Sequence, residues 1–380
     1  MSSRWAASLA ALEQGLLQRD VAARALLLAA LAGEHVLLLG PPGTAKSELA
    51  RRLQKLLPGA HYFERLLTRF TVPEELFGPL SLKALEHDRY ERLTRGYLPA
   101  AEVAFLDEVF KANSAILNTL LGLLHERAFD NGSQRVAVPL VTLVGASNEP
   151  PRDDSLLAFH DRFLLRVPVA PVDDAHFAAL LGTRSGMGPV PGDALIDAPT
   201  RQALQDAAPQ VAVPDDVLAL LLAARQQAQA TQQTVSDRRW RQLVGLLQLQ
   251  AASRGAAAVG PWDLWLLPFV LAGAAEQVSD WTDFFLHRVA LTAPLDLSGV
   301  ERAVLAFEQQ LDIERRALAD AQDDSAGKLA LARAISGPEA GESEMVRITS
   351  ERAHRRYSPV HIAARLAQCD ALLAQVQALC

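Results

Sequence analysis

Gly40-Pro41-Pro42-Gly43-Thr44-Ala45-Lys46-Ser47 is the stretch that most narrows what this chain can become. A short apolar run over residues 35–39 precedes it, in the pattern of a buried parallel strand. An amphipathic helix over residues 47–57 follows and is closed by Pro58-Gly59. Strand, glycine-bearing turn and helix start, in that order, turn backbone N–H groups inward and add the partial positive charge of a helix N-terminus. Together they cradle a phosphate chain. Lys46 is placed to reach the β- and γ-phosphates, and Ser47 to give Mg²⁺ an oxygen ligand. The motif ordinarily has glycine where this chain has Ala45, and a methyl group fits there if the residue takes a negative φ.

A second signal stands at the right distance. Ala104-Phe105-Leu106-Asp107-Glu108 is an apolar strand ending in two carboxylates. Asp107 suits the Mg²⁺ shell, and Glu108 can orient and polarise an attacking water. Alone, such a pair would serve as a helix N-cap; after a phosphate loop it reads as catalytic. Asn148 ends the next apolar strand, where an amide can bond the γ-phosphate and the lytic water. Arg162, in His160-Asp161-Arg162-Phe163 just before the last strand, carries the cation that suits charge spread over a transferring phosphoryl group. From the far end of the sheet it reaches a neighbouring copy's phosphate in a ring rather than its own; the alternative is a salt bridge to Asp161 or Asp154. Ser236-Asp237-Arg238-Arg239-Trp240 opens a later helix, with Ser236 or Asp237 as its cap. Across a domain cleft from the site, Arg238 is a candidate lid arginine touching phosphate, with Arg239 as its substitute.

With 380 residues the chain exceeds one core, and its apolar content leans on Leu and Ala, which favours helices around one modest sheet. Strands are expected over 35–39, 61–65, 103–106, 141–146 and 163–169, in an α/β arrangement with a mainly parallel sheet. Residues 6–32 read as helical, and 128–139, with Asp130-Asn131-Gly132 at the middle, as a β-hairpin. Residues 185–199, rich in Gly and Pro, read as a linker, and 200–290 as helices in which Trp240, Trp262, Trp265 and Trp281 pack. Two heptad-like helices are expected near the C-terminus, joined by polar residues 323–358. The division is 1–185 for a nucleotide-binding core, 186–290 for an all-helical lid and 291–380 for a C-terminal helical hairpin or bundle.

A formal charge of −7 argues against bulk affinity for nucleic acid. Two cysteines, Cys369 and Cys380, build neither a disulfide framework nor a metal site. The N-terminus lacks a signal-peptide run, and no apolar stretch suffices for a membrane span, so a cytoplasmic protein is expected.

As a set, these motifs resemble the MoxR family of AAA+ ATPases, and within it the RavA branch. The resemblance covers roughly residues 1–290. It rests on the 40–47 loop, on Arg69-Phe70-Thr71-Val72-Pro73-Glu74-Glu75-Leu76-Phe77-Gly78-Pro79-Leu80 and on Arg89-Tyr90-Glu91-Arg92-Leu93. Leu106-Asp107-Glu108, Ile116-Leu117-Asn118-Thr119-Leu120-Leu121, Ala146-Ser147-Asn148-Glu149 and Ser236-Asp237-Arg238-Arg239-Trp240 extend it. It implies an AAA+ P-loop core with five strands in the order 5-1-4-3-2, an insert over about 78–100 and a hairpin over about 126–139. It further implies ATP/ADP and Mg²⁺ as ligands, Asn148 as sensor 1, Arg162 as arginine finger and Arg238 as sensor 2. Members form hexameric rings and remodel or mature proteins, often ones carrying a von Willebrand factor A (vWA) domain. The RavA pattern has a small β-rich domain between its C-terminal helices; the span here is too short and polar for it, so that partner does not carry over. A metal-chelatase-like motor subunit, a DNA-stimulated motor and an ATP-binding switch without turnover are the competing readings. The insert's Lys83, Arg89, Arg92 and Arg95 are offset by Glu86, Asp88 and Glu91, which disfavours DNA.

Overall fold

A computed structural model of the chain describes residues 3–151, 156–183 and 186–290. The chain divides into two units, Met1–Thr292 and Ala293–Cys380, and the second, where the C-terminal helices are expected, lies outside the described residues. The first begins with α1 (Ser3–Glu13) and α2 (Asp20–Ala32). The single helical run expected there is broken where Gly15 and Gln18 take positive φ, 68° and 54°.

The core continues through β1 (Val36–Leu39), α3 (Lys46–Leu56), β2 (Tyr62–Leu66), α4 (Pro73–Phe77), α5 (Leu82–Leu85) and β3 (Val103–Asp107). It is completed by α6 (Ser114–Glu126), β4 (Ala128–Asn131), β5 (Gln134–Ala137), β6 (Thr142–Ser147), α7 (Leu157–His160), β7 (Leu165–Pro168) and α8 (Asp174–Gly182). Five of the strands form a parallel sheet in the order β2-β3-β6-β1-β7, and β4 and β5 form the expected antiparallel hairpin. Read from the β7 edge, this is the 5-1-4-3-2 order.

Alternation along the strands divides the core between two faces. Val36 and Leu38 of β1 pack with α1, α2, α3 and the later helices. Leu37 and Leu39 pack with α6, α4 and the hairpin. Helices cover both faces, so β1, four apolar residues long, is wholly buried, as a central parallel strand should be. The two insertions touch: Asn131 Oδ1 accepts from the Arg92 N–H at 2.6 Å, and Asn131 Nδ2 donates to the Arg92 carbonyl at 3.1 Å.

A helical lid follows: α9 (Ala198–Ala207), α10 (Asp215–Ala230), α11 (Asp237–Ser253), α12 (Leu267–Leu271) and α13 (Ala275–Phe285). The Gly- and Pro-rich connection into it is anchored rather than free. Ser8 Oγ donates to the Ala194 carbonyl at 2.7 Å, the Ile196 N–H donates to the Leu56 carbonyl at 2.7 Å, and both Ala194 and Ile196 are buried. Of the four lid tryptophans, Trp281 is deeply buried, while Trp262, 63% exposed, packs edge-on against Phe285 at 6.1 Å.

Candidate functional site

The carboxyl ends of β1, β3 and β6 lie side by side, and the loops leaving them meet in a cleft of about 300 Å³. Open α/β sheets bind ligands at this edge. Pro42, Gly43, Thr44, Ala45, Lys46 and Ser47 form one wall; Asp107, Glu108 and Asn148 form the other. Gly40 and Pro41 complete the loop beneath them. Gly40 is required by space, since a Cβ there would stand 2.1 Å from the Val169 carbonyl oxygen. Gly43 is required by conformation, with φ 80°.

Ala45 overturns one expectation. Its φ is +66°, in the left-handed region, where a negative value was expected of a non-glycine residue. The tight turn into α3 demands that conformation whichever residue sits there, and for alanine it costs about 1–2 kcal/mol.

Lys46 is 7% exposed, and its Nζ donates to the loop's own Gly40 and Pro41 carbonyls at 2.6 and 2.9 Å. Burial pushes its pKa below the usual lysine value, while Asp107 and Glu108 pull it back up. The ammonium thus curls into the loop, held by two neutral carbonyls. Glu108 also has positive φ, 51°, and its N–H donates to Asp107 Oδ1 at 3.0 Å. Asn148 Nδ2 donates to Glu108 Oε1 at 2.8 Å, and Lys111 Nζ stands 3.3 Å from the same oxygen. Lys111 was not singled out in the sequence, although its place three residues after Glu108 is the helical spacing for such a pair.

Arg162 and Arg238 lie elsewhere. Arg162 follows α7 and leads into β7, whose first residue, Leu165, pairs with Val36 at the start of β1. The phosphate loop leaves the other end of β1, about 13 Å along the strand. Arg238 joins Arg162 at that far end: its Nη2 donates to Asp161 Oδ2 at 2.7 Å and to the Asp161 carbonyl at 3.1 Å. Neither arginine lines the cleft of its own subunit.

The two adjacent lid arginines differ sharply. Arg239 is 3% exposed and donates to Asp161 Oδ1 and to the carbonyls of Leu164, Val270, Asp161 and Phe163. It is a structural pin between β7, α11 and α12. Arg238 is about one-third exposed, which leaves it the arginine available to a ligand. Ser236, not Asp237, caps α11, its Oγ accepting from the Arg239 N–H at 3.2 Å. Burial opposes ionisation of Asp161, but the charges of Arg239 and Arg238 outweigh it and hold the carboxyl below its ordinary range.

Behind Arg162, His160 is buried and neutral, its pKa pushed to about 3 by burial and by the charges of Arg166 and Arg239. The Phe110 ring, two residues beyond Glu108, packs edge-on against His160 at 5.8 Å and Phe159 at 6.4 Å. The acidic pair and the segment carrying Arg162 are therefore in contact through one aromatic ring, which spacing in the sequence did not reveal.

A phosphate loop with its acidic pair and polar strand end, on this strand order and under a helical lid, defines an AAA+ ATPase. Residues 3–189 match the family described as the MoxR domain of MoxR-vWA-beta-propeller ternary systems, and residues 216–285 match an AAA lid domain. Over these residues the chain is similar to MoxR-type AAA+ ATPases, in its core and in its lid.

Two uncharacterized proteins of Methanocaldococcus jannaschii are each 58% identical over 137 residues, 36% of this chain and 36% of theirs. A structural protein of Acidianus two-tailed virus is 30% identical over 171 residues, 44% of this chain and 28% of its own. The chain thus spans about a third of the length of these curated relatives. In fold it is similar to the crystal structure of a candidate ATPase from Cytophaga hutchinsonii, with TM-score 0.55, 16% identity, and coverage of 74% of this chain and 92% of that one. No helix among the described residues is long and apolar enough to cross a membrane.

Proposed function

We propose that this ATPase works as a ring, hexameric as in the family it resembles, in which each subunit completes its neighbour's site and ATP turnover drives remodelling or maturation of a protein client. The observation that carries this reading is the separation of parts. Arg162 and Arg238 stand together at the end of the sheet away from their own phosphate loop. A transferring phosphoryl group needs cations close by, and a second copy could bring them. In this reading Lys46 holds the β- and γ-phosphates, Glu108 polarises the attacking water, and Asn148 orients both through its bond to Glu108. Arg162 and Arg238 then neutralise charge on the adjoining subunit's nucleotide.

Among the groups lining the cleft, the Ser47 hydroxyl and the Asp107 carboxylate, with water and phosphate oxygens, suit Mg²⁺. When bound, that ion would supply positive charge to offset the charge developing on the transferring phosphoryl group. A vWA-domain protein as client is supported by the family the core matches, named for systems that pair MoxR domains with vWA and β-propeller proteins. Placement in the RavA branch is supported by the run of shared motifs that includes Ala at position 45. The division into a core over 1–185 and a lid over 186–290 goes with the same reading.

ATPase rate against protein concentration, with Arg162→Ala alongside, tests the ring. A specific rate that rises with concentration and is lost in the variant is expected. A constant rate that persists in Arg162→Ala would mean a self-contained site and would remove the shared-site mechanism.

A further inference from the structure

Arg19 opens α2 and is 6% exposed. Its Nε donates to the Thr44 carbonyl at 3.0 Å, its Nη1 to the Gln18 carbonyl at 2.7 Å and its Nη2 to the Ala170 carbonyl at 2.8 Å. Those three acceptors belong to the phosphate loop, the α1–α2 turn and the chain leaving β7. All three are neutral carbonyls, and no ion pair to Arg19 is formed among the described residues. Burial alone pulls its pKa down, with no opposing carboxylate.

The grip on Thr44 bears on the strained residue beside it. A trans peptide points its C=O and N–H in opposite directions. Drawing the Thr44 oxygen toward Arg19 therefore sends the Ala45 N–H the other way, away from Arg19. The same peptide leads into the φ of +66° that alanine resists. Most phosphate loops need no such restraint, because glycine at this position adopts the turn without penalty.

We propose that Arg19 is a positioning residue for nucleotide binding: it pins the Thr44–Ala45 peptide in the left-handed turn that presents the loop's N–H groups, and it sets a cation without a carboxylate partner behind them. The loop is thereby held ready for phosphate even though it carries alanine. The inference rests on residues 40–47 being the nucleotide loop.

The test is a double-mutant cycle on the full chain, read as the Kd of a fluorescent ADP analogue with Mg²⁺ present. Arg19→Gln is expected to weaken binding by about tenfold or more, the scale of a lost charged hydrogen bond. In an Ala45→Gly background the same change should cost only a few-fold, because glycine holds the turn unaided. Equal losses in both backgrounds would overturn the pinning, as would an Arg19→Gln variant that binds like wild type. If Arg19→Gln fails to fold, Arg19→Lys takes its place in the cycle. Lysine keeps the charge but cannot fork to three carbonyls, so the same dependence on position 45 is expected and its absence is equally decisive. Lys46→Ala run alongside must abolish binding; if it does not, the loop assignment fails, a result distinct from any involving Arg19.

Discussion

Arg238 reaches from the start of α11 to bond Asp161 twice, through the carboxylate at 2.7 Å and the backbone carbonyl at 3.1 Å. A lid residue is thereby tied to the residue immediately before Arg162. Asp161 is thus the partner of Arg238 and the chain neighbour of Arg162.

Shared location predicts shared genetics. Arg238→Ala and Arg162→Ala subunits should each bind ATP normally and turn it over poorly. Mixed with Lys46→Ala subunits, which keep both arginines, each should regain part of its activity. Arg238 acting on its own subunit's nucleotide predicts recovery for Arg162→Ala only, and a mixing titration of ATPase rate separates the two cases.

Glu108→Gln should retain ATP binding while hydrolysis falls by at least about a hundredfold, the usual scale for losing a general base. Asn148→Ala should show a smaller defect in the same direction, since it acts partly through Glu108. Single-turnover measurements distinguish chemistry from product release. Wild-type turnover in Glu108→Gln would reassign the lytic-water residue.

Adjacent arginines should behave oppositely in stability. Arg239→Ala leaves the carbonyls of Leu164, Val270 and Phe163 without this donor in a buried setting, takes one of three cations from Asp161, and should cost about 3–5 kcal/mol. Arg238→Ala, at a partly exposed position, should cost about 1 kcal/mol or less. Denaturant midpoints of the two variants provide the comparison.

Acid should weaken the fold through two histidines. His35 is buried, accepts the Leu143 N–H at 3.0 Å, and is pushed to a pKa of about 3 by burial and by the Arg127 charge. His160 is likewise pushed to about 3. Each stays neutral in the folded protein while the unfolded chain takes up a proton near pH 6.5. Stability is therefore unaffected above that pH and falls between pH 6.5 and 3, by up to about 1.4 kcal/mol per pH unit per histidine. Chemical denaturation at pH 7 and pH 5 reads the slope, and equal stability at both would remove these groups as its source.

Much of this protein was legible before any coordinates. Parallel strands alternating with helices dictate a covered sheet, and the observed strands lie within one or two residues of those expected from apolar runs. The 40–47 loop and the Asp107-Glu108 pair are contiguous, so their chemistry travels with the local sequence. Asn148 was legible because it ends a strand of the same sheet. The reading failed where local preference met a tertiary demand. Ala45 adopts a φ that its own side chain resists, because the loop and Arg19 impose it. Residues 185–199 read as a linker from composition, which gives no sign that Ala194 and Ile196 are buried and bonded to α1 and α3.

What the sequence determined alone is the fold class and the residues that line the candidate cleft, because strand period, helix caps and a glycine-bearing turn are properties of neighbouring residues. What only the tertiary structure decided is how distant side chains are shared out. Arg239 is a buried pin and Arg238 an available cation, although they are adjacent. Arg19 meets acceptors 25 and 151 residues away, and Phe110 meets His160 across 50. These pairings depend on which strands lie side by side and on which groups burial strips of water, and neither is written in any local stretch of chain.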